Sequence, residues 1–314
     1  MRAEDIPAAV AQRARAMGPA GEKWRNELGE TVALLAERWR LRVGAPMAGG
    51  THAFAAKATG ADGGRYVIKI DMPDGAGHAG FSYAVRALAV AAGRGYVRMY
   101  ACDMQKRACL LEELGTPLGD MGYAVDRKIE LICAALTKSW IPVAGGGLQT
   151  GEDIVRWFRT FLSDAWEALG QPCPAETITQ ARAFLSNRED GLGTCERVLV
   201  HGDAHGTNVL CDPAEEGAFK LIDPDGILYE RAYDLGVLMR EWPEAYEREP
   251  VGAGLARCAR LSGMTGVDAR AIWEWGFLQC VSTGLLCLKI GQDGWGRRLL
   301  KVAEAWTGAE PPPR

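Results

Sequence analysis

The sequence predicts an α+β fold of two lobes, a small β-rich lobe carrying N-terminal helices and a larger, mainly α lobe. Three observations predict it. Apolar residues recur at helical spacing over the first 45 positions, short β-like runs punctuated by glycine follow up to residue 114, and long helical patterns dominate beyond it. The expected lobes are 1–114 and 115–314.

The N-terminal helical reading rests on Trp24, Leu28, Thr31, Leu35 and Trp39, which recur at three- and four-residue steps with Arg25, Glu30, Glu37 and Arg38 between them. Gly44 and Pro46 stop that helix. The period then changes: 52–58 and 65–70 flank a Gly- and Asp-rich run, the pattern of a β-hairpin. Residues 71–80 read as loop, 81–92 as an alanine- and leucine-rich helix ended by Gly93 and Gly95, and 96–100 and 108–111 as further strands. A punctuated connector, 115–119, leads to helices expected at 123–139, 154–169 and 177–187. Brief β-like runs at 197–200, 209–211 and 219–222 interrupt them, and the polar chemistry sits at the ends of those runs.

The 314 residues, 48% hydrophobic and 24% charged, exclude a disordered or fibrous chain. Thirty-six basic against forty acidic side chains, a formal charge of -4, supply no basic field to hold nucleic acid or an anionic membrane. A small-molecule partner, cationic or neutral, suits the chain better. Nine cysteines without a CxxC pair read as reduced thiols and indicate a cytoplasmic protein. The N-terminus carries Arg2, Glu4 and Asp5 in place of an apolar signal core, and the uncharged stretch 275–288 is too short for a bilayer, so neither export nor a membrane span is expected.

The strongest motif is His201-Gly202-Asp203-Ala204-His205-Gly206-Thr207-Asn208, which lies between two β-like runs, with Asp223 at the end of the third. With 4 His, 17 Asp and 3 Asn in the chain, a His-x-Asp-x4-Asn pattern arises by chance about 0.002 times. Phosphoryl transfer needs this set, because it asks for electrostatic positioning more than covalent chemistry. Asp203 is the candidate base that accepts the proton of an attacking hydroxyl. Asn208 and Asp223 are candidate Mg²⁺ ligands, since that hard ion takes one or two protein oxygens and completes its shell with phosphate and water. His201 orients the loop, and His205 either contacts phosphate or fills space. Two bland readings compete: a polar hairpin whose aspartates cap turns, and a zinc site on the two histidines, which lacks the helix and glutamate of HExxH.

Nucleotide phosphates also need a lid and a lysine. Gly49, Gly50 and Thr51 precede the hairpin, where backbone N–H groups can approach phosphate oxygens. Lys69 stands on a strand where an ammonium is unfavourable without an anion, and is the candidate phosphate ligand. Lys57 reads as a solvated residue. Residues 110–114, with Glu112 and Leu114, form either a hinge whose backbone meets adenine or an edge strand. For the acceptor, eight acidic residues between Asp223 and Glu249 stand against three arginines, an excess that attracts a polycation. Glu244, Glu247 and Glu249 read as a solvated face. Asp225 and Glu230, which follow Asp223 directly, read as substrate contacts beside Asp203. Trp242, Trp273 and Trp275 line a pocket or, as helical spacing favours, fill the core.

These segments resemble the aminoglycoside phosphotransferase family, and within it the streptomycin 6-kinase and hydroxyurea phosphotransferase branch. The likeness covers nearly the whole chain: 18–24, 37–39 and 43–46 are similar to that branch's N-terminal helices, and 200–208, 222–224 and 233–236 to its active-site segments. It implies a protein-kinase-like fold that uses ATP with Mg²⁺ to phosphorylate a small molecule's hydroxyl. The acceptor it implies is an aminoglycoside-type antibiotic such as streptomycin, or hydroxyurea, and the outcome is resistance. Asp234, in the Tyr-Asp-Leu-Gly segment, is implied to brace the catalytic loop. The chain departs from the kinase pattern at one point: kinases pair the strand lysine with a glutamate on the next helix, and 75–92 contains no acidic residue. Either Asp71, Asp74 or a carboxylate of the N-terminal helices meets Lys69, or the pair is missing. A kinase of a metabolic alcohol (choline, homoserine or a sugar) and a nucleotide-binding pseudokinase stay open as alternatives.

Overall fold

The computed structural model describes residues 6–48, 50, 52–73, 80–143 and 146–313. The chain divides into two compact units, Met1–Gly115 and Thr116–Arg314.

The first unit opens with two helices where the sequence predicted one. Gly18, at φ +66°, separates α1 (Ala8–Ala16) from α2 (Pro19–Arg38), and Pro19 starts the second helix with its φ already set. The predicted stripe is present: Leu28, Thr31 and Leu35 are buried, with Trp24 and Trp39 half-buried on the same core. The helix ends at Arg38. β1 (Leu41–Pro46) occupies positions expected to be helical, and Gly44 and Pro46 lie within it. An edge strand tolerates proline, whose missing N–H has no partner to lose.

β2 (Ala53–Gly60) and β3 (Arg65–Asp71) form the predicted hairpin, with Ala56 opposite Ile68. After α3 (Gly80–Ala91), β4 (Met99–Asp103) and β5 (Ala108–Glu112) complete an antiparallel sheet in the order β1-β2-β3-β5-β4. β5 therefore runs inside the sheet, and the edge-strand reading of 110–114 is corrected. Strand alternation places Phe54 and Ala56 of β2 with Ile68 and Ile70 of β3 on one face, where Ile6, Val10, Leu28 and Leu35 cover them. Truncating a wholly buried side chain such as Leu35 to alanine costs about 2–5 kcal/mol.

The second unit is mainly helical: α4 (Val125–Ser139), α5 (Gly151–Ala168), α6 (Ala175–Asp190), α7 (Ala232–Arg240), α8 (Pro250–Thr265), α9 (Ala269–Lys289) and α10 (Asp293–Trp306). Thr150 and Asp153 form a capping box that starts α5. Between the helices lie β6 (Gln149–Thr150), β7 (Val198–Val200), β8 (Val209–Cys211), β9 (Phe219–Leu221) and β10 (Ile227–Tyr229), paired as β6-β10-β7 and β8-β9. β6 and β10 are too short to show a period, and only their pairing reveals them.

α9 corrects one expectation. The helix that holds 275–288 begins at Ala269 and also carries Arg270, Glu274 and Lys289, and at 21 residues it is, by length and composition alone, long and apolar enough to cross a membrane. Its place explains the composition: 83% of its most apolar window is buried within the fold. Trp273, Trp275 and Phe277 are wholly buried there, beside a Glu274 that pairs with Arg188 at 2.7 Å. All nine cysteines are free thiols.

Candidate active site

Strand pairing brings the predicted chemistry together. β7 and β10 run antiparallel with Val200 opposite Ile227, and the ladder continues where the Asp225 N–H donates to the His201 carbonyl at 2.8 Å. β8 and β9 pair Val209 with Leu221, and the Ile222 N–H donates to the Asn208 carbonyl at 2.9 Å. The loops 201–208 and 222–226 thus leave adjoining strand ends side by side, and Asp203, Asn208, Asp223 and Asp225 all ride on them. Asp223 adopts φ +56°, a left-handed conformation that aspartate tolerates better than most residues.

Asp234, near the start of α7 and wholly buried, braces the first loop. Its carboxylate accepts from the His201 N–H at 3.0 Å, the Gly202 N–H at 2.8 Å and the Trp140 indole at 2.9 Å. The buried His201 ring donates through Nε2 to the Ile222 carbonyl at 2.7 Å and accepts the Asp203 N–H on Nδ1 at 3.1 Å. Burial pulls the imidazole pKa down, in keeping with that neutral tautomer. Both ring nitrogens are engaged within the fold, which removes the zinc reading. Gly202, at φ +94°, has no alternative: a Cβ there would strike the Asp225 carboxylate.

Asp203 forms the wall of a cavity of about 490 Å³ together with Gly202, Asp225, Arg240, Glu241 and the aromatic rings of Trp157 and Trp295. One carboxylate oxygen, Oδ1, pairs with Arg240, while Oδ2 lies 3.2 Å from His205 Nε2. Burial alone would raise the Asp203 pKa, but His205 and Arg240 outweigh it and hold the carboxyl well below its usual range. Asp225 shows the reverse. Its side chain is exposed toward the cavity, and desolvation by the surrounding protein followed by the Asp203 charge pushes it up to about 7. Burial likewise raises Glu241, against the pull of Arg240 and His205.

Asn208 donates through Nδ2 to the Asp203 carbonyl at 3.0 Å, which turns its amide oxygen the other way. An amide oxygen and a carboxylate carried on adjoining strand ends are donor types that Mg²⁺ takes, with phosphate and water completing its shell.

Other expected residues lie elsewhere. Glu230, read as a substrate contact, is turned into the core, where its carboxylate accepts from the Trp275 indole at 2.7 Å and approaches Arg188 at 3.5 Å. It follows β10 directly, so strand alternation and the start of α7 aim it away from the cavity. Trp273 and Trp275 are core residues, and Glu244, Glu247 and Glu249 are exposed.

In the first unit Lys69 pairs with Asp71 at 3.2 Å, one of the partners proposed for it, while Asp74 lies outside the described residues. Lys57 is exposed and pairs with Glu113 at 2.9 Å. Glu112 accepts the Arg98 N–H at 3.1 Å, and Leu114, just beyond β5, is half-buried. Gly49 and Thr51 fall outside the described residues, and Gly50 is exposed.

Sequence reasoning missed Arg240 and the α5 and α9 residues of the cavity wall. A signal existed for Arg240: every other residue of α7 is buried, and a charge ending such a run needs a partner. Gln279, Ser282 and Thr283 are likewise polar interruptions in an apolar helix.

Comparisons with known proteins agree with this geometry. Residues 38–291 match the family described as aminoglycoside/hydroxyurea antibiotic resistance kinase. The chain is 25% identical to a streptomycin 6-kinase of Streptomyces glaucescens, over 95% of each chain. It is 27% identical to a hydroxyurea phosphotransferase of Kitasatospora aureofaciens, over 97% of this chain and 86% of the relative. Among solved structures, choline kinase LicA from Streptococcus pneumoniae is similar with a TM-score of 0.60 at 16% identity, covering 88% of this chain and 98% of that one. A thermostable mutant of aminoglycoside phosphotransferase APH(4)-Ia, in a ternary complex with ADP and hygromycin B, gives a TM-score of 0.55 at 15% identity over 88% and 98% of the two chains. These likenesses show the fold, protein-kinase-like and shared by phosphotransferases of unrelated acceptors. The chain belongs to the aminoglycoside/hydroxyurea antibiotic resistance kinase family.

Proposed function

We propose that the protein moves the γ-phosphoryl group of ATP to a hydroxyl of a small antibiotic held in the cavity of the second unit, and so confers resistance. The observation that carries this reading is the placement of Asp203: a carboxylate on a braced strand-end loop, ionised by its neighbours, in the wall of a cavity sized for a small molecule. The acceptor O–H proton passes to Asp203, the oxygen bonds to phosphorus, and the bond from phosphorus to the ADP oxygen breaks with its electron pair leaving on ADP. Asn208 and Asp223 hold Mg²⁺, which supplies neutralising charge for the phosphates. Lys69, steadied by Asp71, meets the phosphates, the sequence assigns Gly49, Gly50 and Thr51 to the same task, and the backbone around Glu112 and Leu114 meets adenine. Asp225 and Glu241 recognise polar or cationic groups of the acceptor against the rings of Trp157 and Trp295. The units 1–114 and 115–314 divide these tasks, nucleotide to the first and acceptor to the second.

The test is transfer of label from γ-labelled ATP to a panel of streptomycin, hydroxyurea, choline and homoserine. Streptomycin or hydroxyurea should be phosphorylated, and Asp203→Asn should lose about 10²–10⁴-fold in turnover while still binding ATP. Label on choline or homoserine alone would move the protein to metabolic alcohols, and undiminished turnover in Asp203→Asn would reject the assignment of the base.

A further inference from the structure

Arg240 ends α7, a helix otherwise wholly buried. A guanidinium so placed is costly unless its N–H groups are used, and here each nitrogen has a partner. Nη1 donates to Gln279 Oε1 at 2.7 Å and to Thr283 Oγ1 at 2.9 Å, two residues one turn apart on the same face of α9. Nη2 donates to Asp203 Oδ1, and Nε lies 3.8 Å from Glu241 Oε1. The side chain is only 13% exposed and forms part of the cavity wall.

We propose that Arg240 is a positioning residue for phosphoryl transfer: it fixes Oδ1 of Asp203 so that Oδ2, which His205 Nε2 approaches at 3.2 Å and which keeps a second lone pair, is the oxygen that receives the acceptor's proton. The inference rests on the function proposed above. The proton moves from the acceptor O–H to Oδ2, the freed electron pair forms the bond to phosphorus, and the bond to ADP breaks with its electrons staying on ADP. Arg240 makes and breaks no covalent bond. Its contribution is geometric, since a planar guanidinium held at several points offers one fixed N–H direction to the carboxylate. Gln279 and Thr283 also line the cavity, so the base and the wall that holds the acceptor share one anchor on α9. An acceptor seated on that wall is thereby in register with Oδ2.

The experiment compares wild type, Asp203→Asn, Arg240→Ala, Arg240→Lys and Thr283→Val, with kcat and KM measured separately for ATP and for the acceptor. Arg240→Ala should lower kcat about 100-fold with an unchanged KM for ATP, as expected for a displaced reacting group. Guanidinium ion at non-denaturing concentration should restore at least about a tenth of the lost turnover, because the vacated space opens onto the cavity. Arg240→Lys should fall between the two, since one ammonium cannot hold Asp203 and α9 together. Thr283→Val, which removes a single anchor at nearly constant volume, should lower kcat several-fold. Wild-type kcat in Arg240→Ala, or a loss in the folded variant that guanidinium does not relieve, overturns the proposal. If Arg240→Ala does not fold, Thr283→Val decides: unchanged kcat there overturns it. A wild type that phosphorylates no acceptor, or an Asp203→Asn variant of full activity, instead sinks the phosphoryl-transfer reading and takes this inference with it.

Discussion

Two carboxylates, one in each unit, respond to their surroundings in opposite directions. Glu113 lies between Arg65, at 2.7 Å, and Lys57, at 2.9 Å, and the Arg65 hydrogen bond, with Lys57 against the cost of burial, holds it down at about 2. Asp225 shares its space with Asp203, Asp223 and Asp234, and burial plus those like charges push it up to about 7. One arrangement matches opposite signs and is complete without a ligand. The other sets several carboxylates around a cavity against Arg240, whose pull does not offset burial and the Asp203 charge at Asp225, and leaves a deficit that a bound cation or hydroxyl can relieve. The partners tell charge that serves the fold from charge that serves binding, and the sign of a shift alone does not: Asp203 in the cavity wall is also held low, and the bracing Asp234 is raised by burial.

Asp234 is the sharpest way to break that contrast, because it is a carboxylate of the second unit that serves the fold. Three donors saturate it, and two of them are backbone N–H groups of the catalytic loop. Asp234→Ala strands all three inside the protein, and the expected loss of stability is about 3–5 kcal/mol, read as a lowered urea midpoint. Turnover should fall with it, since the loop at Gly202 loses its anchor. An unchanged midpoint would show that the loop is held by His201 alone.

The distinction between these roles was only partly legible in the sequence. Asp203 and Asn208 were singled out by one rare spacing, Asp223 by its place at the end of the third β-like run, and Asp234 by the resemblance of its segment. The hairpin of β2 and β3 and the helices α4, α5 and α6 were legible because each repeats its period several times. Glu230 was misplaced because proximity in sequence to Asp223 says nothing about direction, and the two residues lie on opposite sides of β10. The partnership of Arg240 with Asp203 spans 37 positions and needs α9 to hold it, so no local pattern contains it. β1 was read as helix because a six-residue edge strand containing Gly44 and Pro46 shows the same punctuation as a helix end.

Asp225→Asn sharpens the comparison with a smaller effect of the opposite sign. A carboxyl raised from 3.8 to about 7 in the folded protein binds its proton more tightly there than in the unfolded chain. Stability is then lost as pH rises across that window, so the variant should be the more stable protein above pH 7. Because Asp225 is open to the cavity, solvent screening reduces the gain to about 1 kcal/mol. Urea midpoints at pH 5 and pH 8.5 should converge for the variant and diverge for wild type, while the variant's acceptor KM rises. A variant less stable than wild type at pH 8.5 would mean that Asp225 belongs with Glu113, among groups whose charge the fold requires.

Glu113→Gln should move least. A carboxyl lowered from 4.5 to about 2 contributes stability that is present above the ordinary value and lost as pH falls through the folded one, so its window runs from pH 4.5 down to 2. Lys57 and Arg65 are both largely exposed, at 59% and 74%, and water competes for them, which limits the contribution to about 0.5–1 kcal/mol. Wild type should lose that amount between pH 5 and pH 2.5, and Glu113→Gln should be lower by the same amount at pH 6 yet equal to wild type near pH 2. About 1 M NaCl screens charges that are open to solvent, and Lys57, Arg65 and the Asp225 side chain all are. The Glu113 effect should therefore vanish in high salt and the Asp225 effect shrink to the part set by desolvation, and an Asp225 effect that vanishes as well would mean that the Asp203 charge alone sets it.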